Sequence, residues 1–354
     1  MLMVRKFRCA MKLLRNVNSL LSVSRLGRMV NALALVIGLD KLGLLALLES
    51  PRSIEEIAAF IGDVKRQAFL EELLKALVNE GVLDGSNGLF RVNKATVKKL
   101  YSMRGSHPFF KGAEYLLAGF EEFMYEILVE VLRGASFDFV SPEVATLFYL
   151  QNSSPAYKIG REILLELGGG KNLKGKCILD LGCGFGVEPL TILEYLDFDC
   201  HLICADFFSN VVDECMHTMV EGESTPLPAP KPLKDLDNVE FVVLDPSMNT
   251  PFPLPDESVD SVFSFQLLHW SSYPQRIINE CARVLRKGGT LMIATPLKDD
   301  NETTTIDVVV KASGGNRIYT ESELSAFMEE AGLEVYCSFL SNFMVARKPN
   351  NSRK

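Results

Sequence analysis

The nine residues Ile178-Leu-Asp-Leu-Gly-Cys-Gly-Phe-Gly186 constrain this chain more than any other stretch. An apolar run ends in three glycines at alternate positions, Gly182, Gly184 and Gly186. Without a Cβ, the backbone can leave a strand sharply and pass close to a ligand. A strand that runs through a glycine-rich turn into a helix is the entry unit of an open α/β sheet, and ligands of such sheets sit at the carboxyl ends of the strands. A nicotinamide-binding turn would have Gly or Ala three residues after Gly184, where this chain has Val187. Asp180 also stands two residues before the first glycine.

Two further acids fall at the same expected edge. Asp206 follows the second strand, drawn from Leu202 to Ala205, twenty positions after Gly186. A carboxylate there could accept hydrogen bonds from both hydroxyls of a ribose. Asp245 follows the third strand, drawn from Val239 to Leu244, where it could accept from an adenine amino group. Either Asp alone is equally well read as a turn residue or helix cap. Together with Asp180 and the glycines they outline a nucleoside pocket, and Val187 and Asp180 favour S-adenosylmethionine over NAD.

The rest of the second half alternates β-rich and helical runs, the pattern of a parallel sheet with crossover helices. Its strands are expected at Cys177 to Leu181, Ser261 to Phe265 and Thr290 to Ala294, besides the two above. A closing pair, Leu333 to Phe339 and Asn342 to Ala346, is joined so tightly that it must be antiparallel. Glu221 to Asp237, with Pro226, Pro228, Pro230 and Pro232, reads as a semi-rigid surface loop.

Upstream, the apolar run around Leu33 to Leu48 reads as a helix stopped by Pro51. Ser53-Ile-Glu-Glu56 has capping-box spacing and starts a second helix, which Gly62 ends. A third helix, near Arg66 to Glu80, carries Phe69, Leu70, Leu73, Leu74, Leu77 and Val78 at helical spacing, with Gly81 as its stop. Val82-Leu83 and Phe90-Arg91-Val92 then flank Asp84-Gly-Ser-Asn-Gly88, a hairpin signal. Three helices and a two-stranded wing spell a winged helix. The third helix and its approach carry Lys65, Arg66, Glu71, Glu72, Lys75 and Glu80, a mixed set ill suited to a DNA groove, so the expectation is a dimerisation module. Tyr101 to Leu167 reads as a helical, apolar connector rich in aromatics, among them Phe109, Phe110, Tyr115, Phe120, Phe123, Phe148 and Tyr149.

A formal net charge of −8 speaks against a surface that coats nucleic acid. Eight cysteines form neither a disulfide framework nor a Cys-x-x-Cys pair, so no metal is expected and the compartment is read as reducing and cytoplasmic. No apolar stretch reaches membrane-spanning length. The segment before Asp40 has no acid but carries Arg5, Lys6, Arg8, Lys12, Arg15, Arg25 and Arg28, which leaves a mitochondrial or plastid leader as the alternative.

On these motifs the half from Leu173 to Lys348 resembles the class I S-adenosylmethionine-dependent methyltransferases. Pro253-Leu-Pro-Asp-Glu-Ser-Val-Asp260 with Phe263-Ser-Phe-Gln-Leu-Leu-His-Trp270 resembles their fourth-strand region, and Arg283-Val-Leu-Arg-Lys-Gly-Gly-Thr290 their turn into the fifth strand. Joined to a winged helix, the chain is similar to the two-domain small-molecule O-methyltransferases. Asp206-Phe-Phe-Ser-Asn-Val-Val212 resembles their Asp-Leu-Pro-x-Val-Val element, and Leu268-His269-Trp270 their Leu-His-Asp-Trp. Gly314-Gly-Asn-Arg-Ile-Tyr-Thr320 resembles their Gly-Gly-x-Glu-Arg-Thr segment without its acid.

The resemblance implies a Rossmann-like α/β sheet of seven strands with a closing antiparallel strand, behind a mainly helical winged-helix domain. It implies residues 1–29 as a basic leader or helix, 30–100 as a winged-helix dimerisation domain, and 101–170 as a connector lining an acceptor pocket. Residues 171–348 would be the methyltransferase domain and 349–354 a tail. S-adenosyl-L-methionine would lie against Asp180, Gly182, Gly184, Gly186, Asp206, Phe207 and Asp245, with His269 as the general base. The acceptor would be a small, largely apolar hydroxyl compound and the assembly a homodimer. Carbon methylation of quinone or pigment type, and a non-catalytic S-adenosylmethionine-sensing regulator, are the competing readings.

Overall fold

In a computed structural model the chain is described at residues 2–15, 27–106, 125, 127–137, 148–149, 151–221, 229–299, 302–340 and 342–350. It divides into two compact units that are not continuous in sequence. One comprises Met1–Arg15, Asn152–Leu297 and Tyr319–Lys354, and the other comprises Asn16–Gln151 and Lys298–Ile318.

The first unit is built on seven strands: β4 (Cys177–Leu181), β5 (His201–Asp206), β6 (Val239–Val243), β7 (Val259–Phe265), β8 (Leu285–Ala294), β9 (Glu334–Phe339) and β10 (Phe343–Arg347). Their spatial order is β9-β10-β8-β7-β4-β5-β6. The central pairs are parallel, and β10 runs antiparallel to both β8 and β9. Strand order reverses between β4 and β7, and a crevice at such a point is where open α/β sheets take their ligands. The connections include α8 (Val187–Tyr195), α9 (Ser209–His217), α10 (Pro274–Val284) and α12 (Glu321–Glu330). Two helices from upstream also pack in this unit, α1 (Leu2–Arg15) and α7 (Pro155–Gly168). α1 lies along α7 and buries Cys9. α7 approaches β8 so closely that a Cβ added at Gly168 would overlap the Met292 side chain. Ile163, Leu164, Leu165 and Leu167 share a core with Ile178, Leu202, Phe263 and Met292.

In the second unit come α2 (Gly27–Lys41), α3 (Leu44–Leu47), β1 (Arg52–Ser53), α4 (Ile54–Ile61), α5 (Gln67–Asn79), β2 (Leu83–Ser86), β3 (Leu89–Val92) and α6 (Lys94–Ser106). Ser53 caps α4 in a reciprocal capping box with Glu56. The hairpin turns at Asn87-Gly88, both with positive φ, and Ser86 pairs with Leu89. The helix expected from Leu33 to Leu48 is interrupted: Gly43 takes a left-handed conformation (φ 75°) and α3 is a separate single turn. The short β1 completes a three-stranded sheet of order β1-β3-β2. α11 (Thr305–Ala312) inserts Val308, Val309 and Ala312 into this unit's core. Of the connector's aromatics, Phe109, Phe110, Tyr115, Phe120 and Phe123 lie outside the described residues.

Among the described residues no helix is long and apolar enough to cross a membrane, and no group of three or more His, Cys, Asp or Glu side chains could hold a metal ion. None of the eight cysteines is joined in a disulfide.

Candidate active site at the carboxyl edge of the sheet

The glycine loop leaves β4 by way of two backbone bonds to its neighbour, the N–H groups of Gly182 and Cys183 both donating to the Ala205 carbonyl. Gly182, Gly184 and Gly186 all have positive φ, at 85°, 53° and 87°. Gly186 has a second constraint, because a Cβ there would stand 2.5 Å from Thr218 Oγ1. That hydroxyl donates to the Phe185 carbonyl at 2.8 Å and ties the end of α9 to the loop.

Asp180 is fully buried beneath this loop, and neither carboxylate oxygen has a hydrogen-bond partner among the described residues. Burial drives its pKa well above the usual carboxylate range, and the neighbouring Glu188 adds to the rise. An orphaned buried carboxyl is costly, and native structures keep one where a ligand or function requires it. Asp206, at the end of β5, is also buried. It accepts from the backbone N–H groups of Phe207 at 2.7 Å, Gly184 at 3.2 Å and Phe208 at 3.3 Å. Burial outweighs these three donors and pushes its pKa up to about 6. Phe207 is half-buried, packed on the cluster that contains Leu181 and Ala205.

Asp245 is placed two residues after β6, at the same edge. Its Oδ1 accepts from the Ser247 hydroxyl at 2.6 Å and the Ser247 N–H at 2.9 Å. Its Oδ2 accepts from the N–H groups of Asn249 and Thr250, both at 3.0 Å, and from the Thr250 hydroxyl at 3.1 Å. The Ser247 hydroxyl and these loop N–H groups hold the carboxyl well below its usual range. Both oxygens are engaged by Asp245's own turn.

His269 lies in a short 3-10 turn, Leu268–Trp270, after β7. The preceding Gln266 has a φ of 60°, and its N–H bonds the Ala294 carbonyl at 2.7 Å. His269 is buried, with Nδ1 3.1 Å from the Thr295 hydroxyl and its ring 5.2 Å from that of Trp270. Burial pushes its pKa down to about 3, so the imidazole is neutral at physiological pH. Its hydrogen-bond partner is a hydroxyl and not a carboxylate.

Two residues of this neighbourhood escape a reading of motifs. Arg161 on α7 and Glu188 in the first turn of α8 are both buried and paired, Nη1 to Oε1 at 3.3 Å. Arg161 also donates to Thr191 Oγ1 and to the Asn152 carbonyl, both at 2.9 Å, and its guanidinium lies 5.6 Å from the Phe265 ring centroid. The available signal was an arginine set among Ile159, Ile163, Leu164 and Leu165, a position that needs a partner when buried.

The family described as "Methyltransferase domain" matches residues 179–293, which contain the whole glycine loop, Asp206, Asp245 and His269. This chain carries a class I S-adenosylmethionine-dependent methyltransferase domain. S-adenosylmethionine is its cofactor, and the orphaned Asp180 under the positive-φ loop fits a cationic nucleoside ligand. Over 165 residues the chain is 26% identical to the arsenite methyltransferase of Halobacterium salinarum, covering 45% of this chain and 38% of that protein. The chain thus spans well under half the length of this curated relative. The fold of the CurJ carbon methyltransferase is similar at a TM-score of 0.67 and 15% identity, over 97% of this chain and 98% of that one. An O-methyltransferase family 2 protein from Planctomyces limnophilus, in complex with apigenin, is similar at a TM-score of 0.52 and 18% identity, over 94% and 95%.

Proposed function

We propose that the whole chain transfers the methyl group of S-adenosylmethionine to a small, largely apolar organic acceptor, most simply at a hydroxyl oxygen. The observation that carries this is the buried, unpartnered Asp180 beneath a glycine loop that is itself tied to Asp206. In this reading Asp180, Gly182, Gly184 and Gly186 receive the methionine end of the cofactor, Asp206 accepts from the ribose hydroxyls, and Phe207 covers an adenine face. Asp245 contributes at the adenine edge by shaping the turn from Pro246 to Thr250. The bound cofactor supplies an electrophilic methyl group on a sulfonium. Aligning the acceptor with it is the protein's main task, and good positioning contributes on the order of 7–11 kcal/mol.

A hydroxyl acceptor must lose its proton, and His269, neutral through burial, is the group assigned to take it. Thr295 would fix which ring nitrogen is free. The same observation favours a second reading. An imidazole whose basicity is lowered and whose partner is a hydroxyl suits an acceptor that is already acidic, such as a carbon between two carbonyl groups. Incubation with a labelled methyl donor and an acceptor panel, followed by product analysis, separates an O–CH₃ from a C–CH₃ product. Absence of any labelled product across both classes would overturn the assignment.

Residues 30–100, with α2, α4 and α5 followed by a small sheet, support a winged-helix dimerisation module rather than a DNA reader. Mixed charge along α5 is the supporting feature, and Lys311 of α11 pairs there with Glu72 at 2.7 Å. Light scattering should give the mass of a homodimer, in a cytoplasmic protein without nucleic-acid affinity. A monomer at micromolar concentration would refute the dimer.

A further inference from the structure

Arg161 and Glu188 belong to a group of charges packed under the glycine loop. Glu188 is 3% exposed and faces the loop, since a Cβ added at Gly184 would stand 3.6 Å from its Oε2. Asp180 rises from β4 at 0% exposure with both oxygens unpartnered, and Asp206 reaches in from β5 to the Gly184 N–H. Arg161 enters from α7 at 1% exposure. From α9, the buried Cys215 faces the same group and shares a core with Cys183 and Cys204. Three buried carboxyls therefore stand against one guanidinium.

We propose that Asp180, Glu188, Asp206 and Arg161 form a charge-reading subsite, short of positive charge, that takes the sulfonium cofactor in preference to its neutral demethylated product. The inference rests on the methyl-transfer reading above and deepens it. S-adenosylmethionine carries a sulfonium and an ammonium against one carboxylate, a net charge of +1, whereas S-adenosylhomocysteine, a thioether, is neutral overall. Unpaired carboxylates are expensive in a buried site, so without a cation the group retains protons instead. Burial raises Asp180 well above its ordinary range and Glu188 to about 7, although Arg161 opposes the shift at Glu188. A cationic ligand makes the ionised form favourable, and the displaced proton leaves to solvent. Methyl transfer then removes the charge that the subsite reads, which loosens the product. Arg161 acts here as a positioning residue, holding the Glu188 carboxylate against the loop.

Calorimetry on the full chain tests this with S-adenosylmethionine and S-adenosylhomocysteine, each titrated in phosphate and in Tris between pH 6 and 8. More protons should be released with the sulfonium ligand, and its preference over the product should grow by about tenfold across that range, as linkage to one proton requires. Glu188→Gln should flatten the rise and Glu188→Asp should restore it, which a purely structural role for the side chain would not do. If both ligands bind with a ratio that pH leaves unchanged, the subsite is wrong and the methyl-transfer reading stands. If neither binds, both fall.

Discussion

Asp206 ties down the loop through the Gly184 N–H, and in the proposed cofactor site it would also accept from the ribose. Its removal should therefore act twice. Hydrogen bonds to a charged group contribute about 1.5–3 kcal/mol each, so Asp206→Ala should weaken S-adenosylhomocysteine binding by roughly 100-fold or more, as two lost bonds require. Calorimetric affinity within threefold of the unaltered chain would move the ribose away from this carboxylate. At His269 the pH dependence follows from the lowered pKa of about 3. A base depressed in the folded state is neutral above that value, so the proton-accepting form is present from pH 5 to 8. The pH profile of kcat/KM should therefore lack an acidic limb near the ordinary histidine value of about 6.5. His269→Ala should leave cofactor affinity intact and lower kcat by about 10²–10⁴ if the imidazole takes the proton. Retained turnover would mean an acceptor that arrives ionised. Asp180, the glycines and Asp206 could be read from sequence because each lies next to a strand end that the apolar runs reveal. Arg161 and Glu188 could not, because their pairing joins two helices 27 positions apart and Glu188 resembles an ordinary first-turn acid.

At the scale of elements, the loop from Gly182 to Gly186 depends on the end of α9 as much as on β4. Gly186→Ala meets two obstacles, a φ of 87° and a Thr218 hydroxyl 2.5 Å from the new Cβ. The left-handed backbone alone costs a non-glycine residue roughly 1–2 kcal/mol. Urea unfolding should register at least that loss, with cofactor affinity falling in parallel as Phe185 and its tether to Thr218 shift. Unchanged stability would show that the loop relaxes freely. The central strands were readable within a few residues because buried parallel strands are continuous apolar runs. β8 begins five residues earlier than its apolar core suggests, at Leu285, and its opening stretch carries the exposed Arg286 and Lys287 before the pairing register shifts at Thr290. β1, two residues long, is too short to show any periodicity. The break at Gly43 was hidden because leucines continue on both sides of it, and only the left-handed glycine ends α2's run.

For the whole molecule, the order of segments in sequence differs from their grouping in space, and this decides which fragments can fold. A chain cut at Gly170 looks natural, since the β-rich pattern begins just after it. Such a fragment would discard α7, whose Ile163, Leu164, Leu165 and Leu167 are all at most 1% exposed in the core behind the sheet. Burying each such side chain contributes about 1.5–3 kcal/mol, so the four together amount to roughly 6–12 kcal/mol. That equals most of the 5–15 kcal/mol by which a typical domain is stable. The fragment would also keep α11, whose Val308 and Ala312 belong to the core of the other unit. Residues 170–354 should accordingly melt without a cooperative transition and expose apolar surface to a hydrophobic dye. A fragment that starts at Asn152 and replaces 298–318 with a Gly/Ser linker should keep α7 and lose the stranded helix. Differential scanning calorimetry should find a cooperative transition in that second fragment. A single sharp transition for the Gly170 fragment at the full chain's Tm would contradict the packing of α7 against β8.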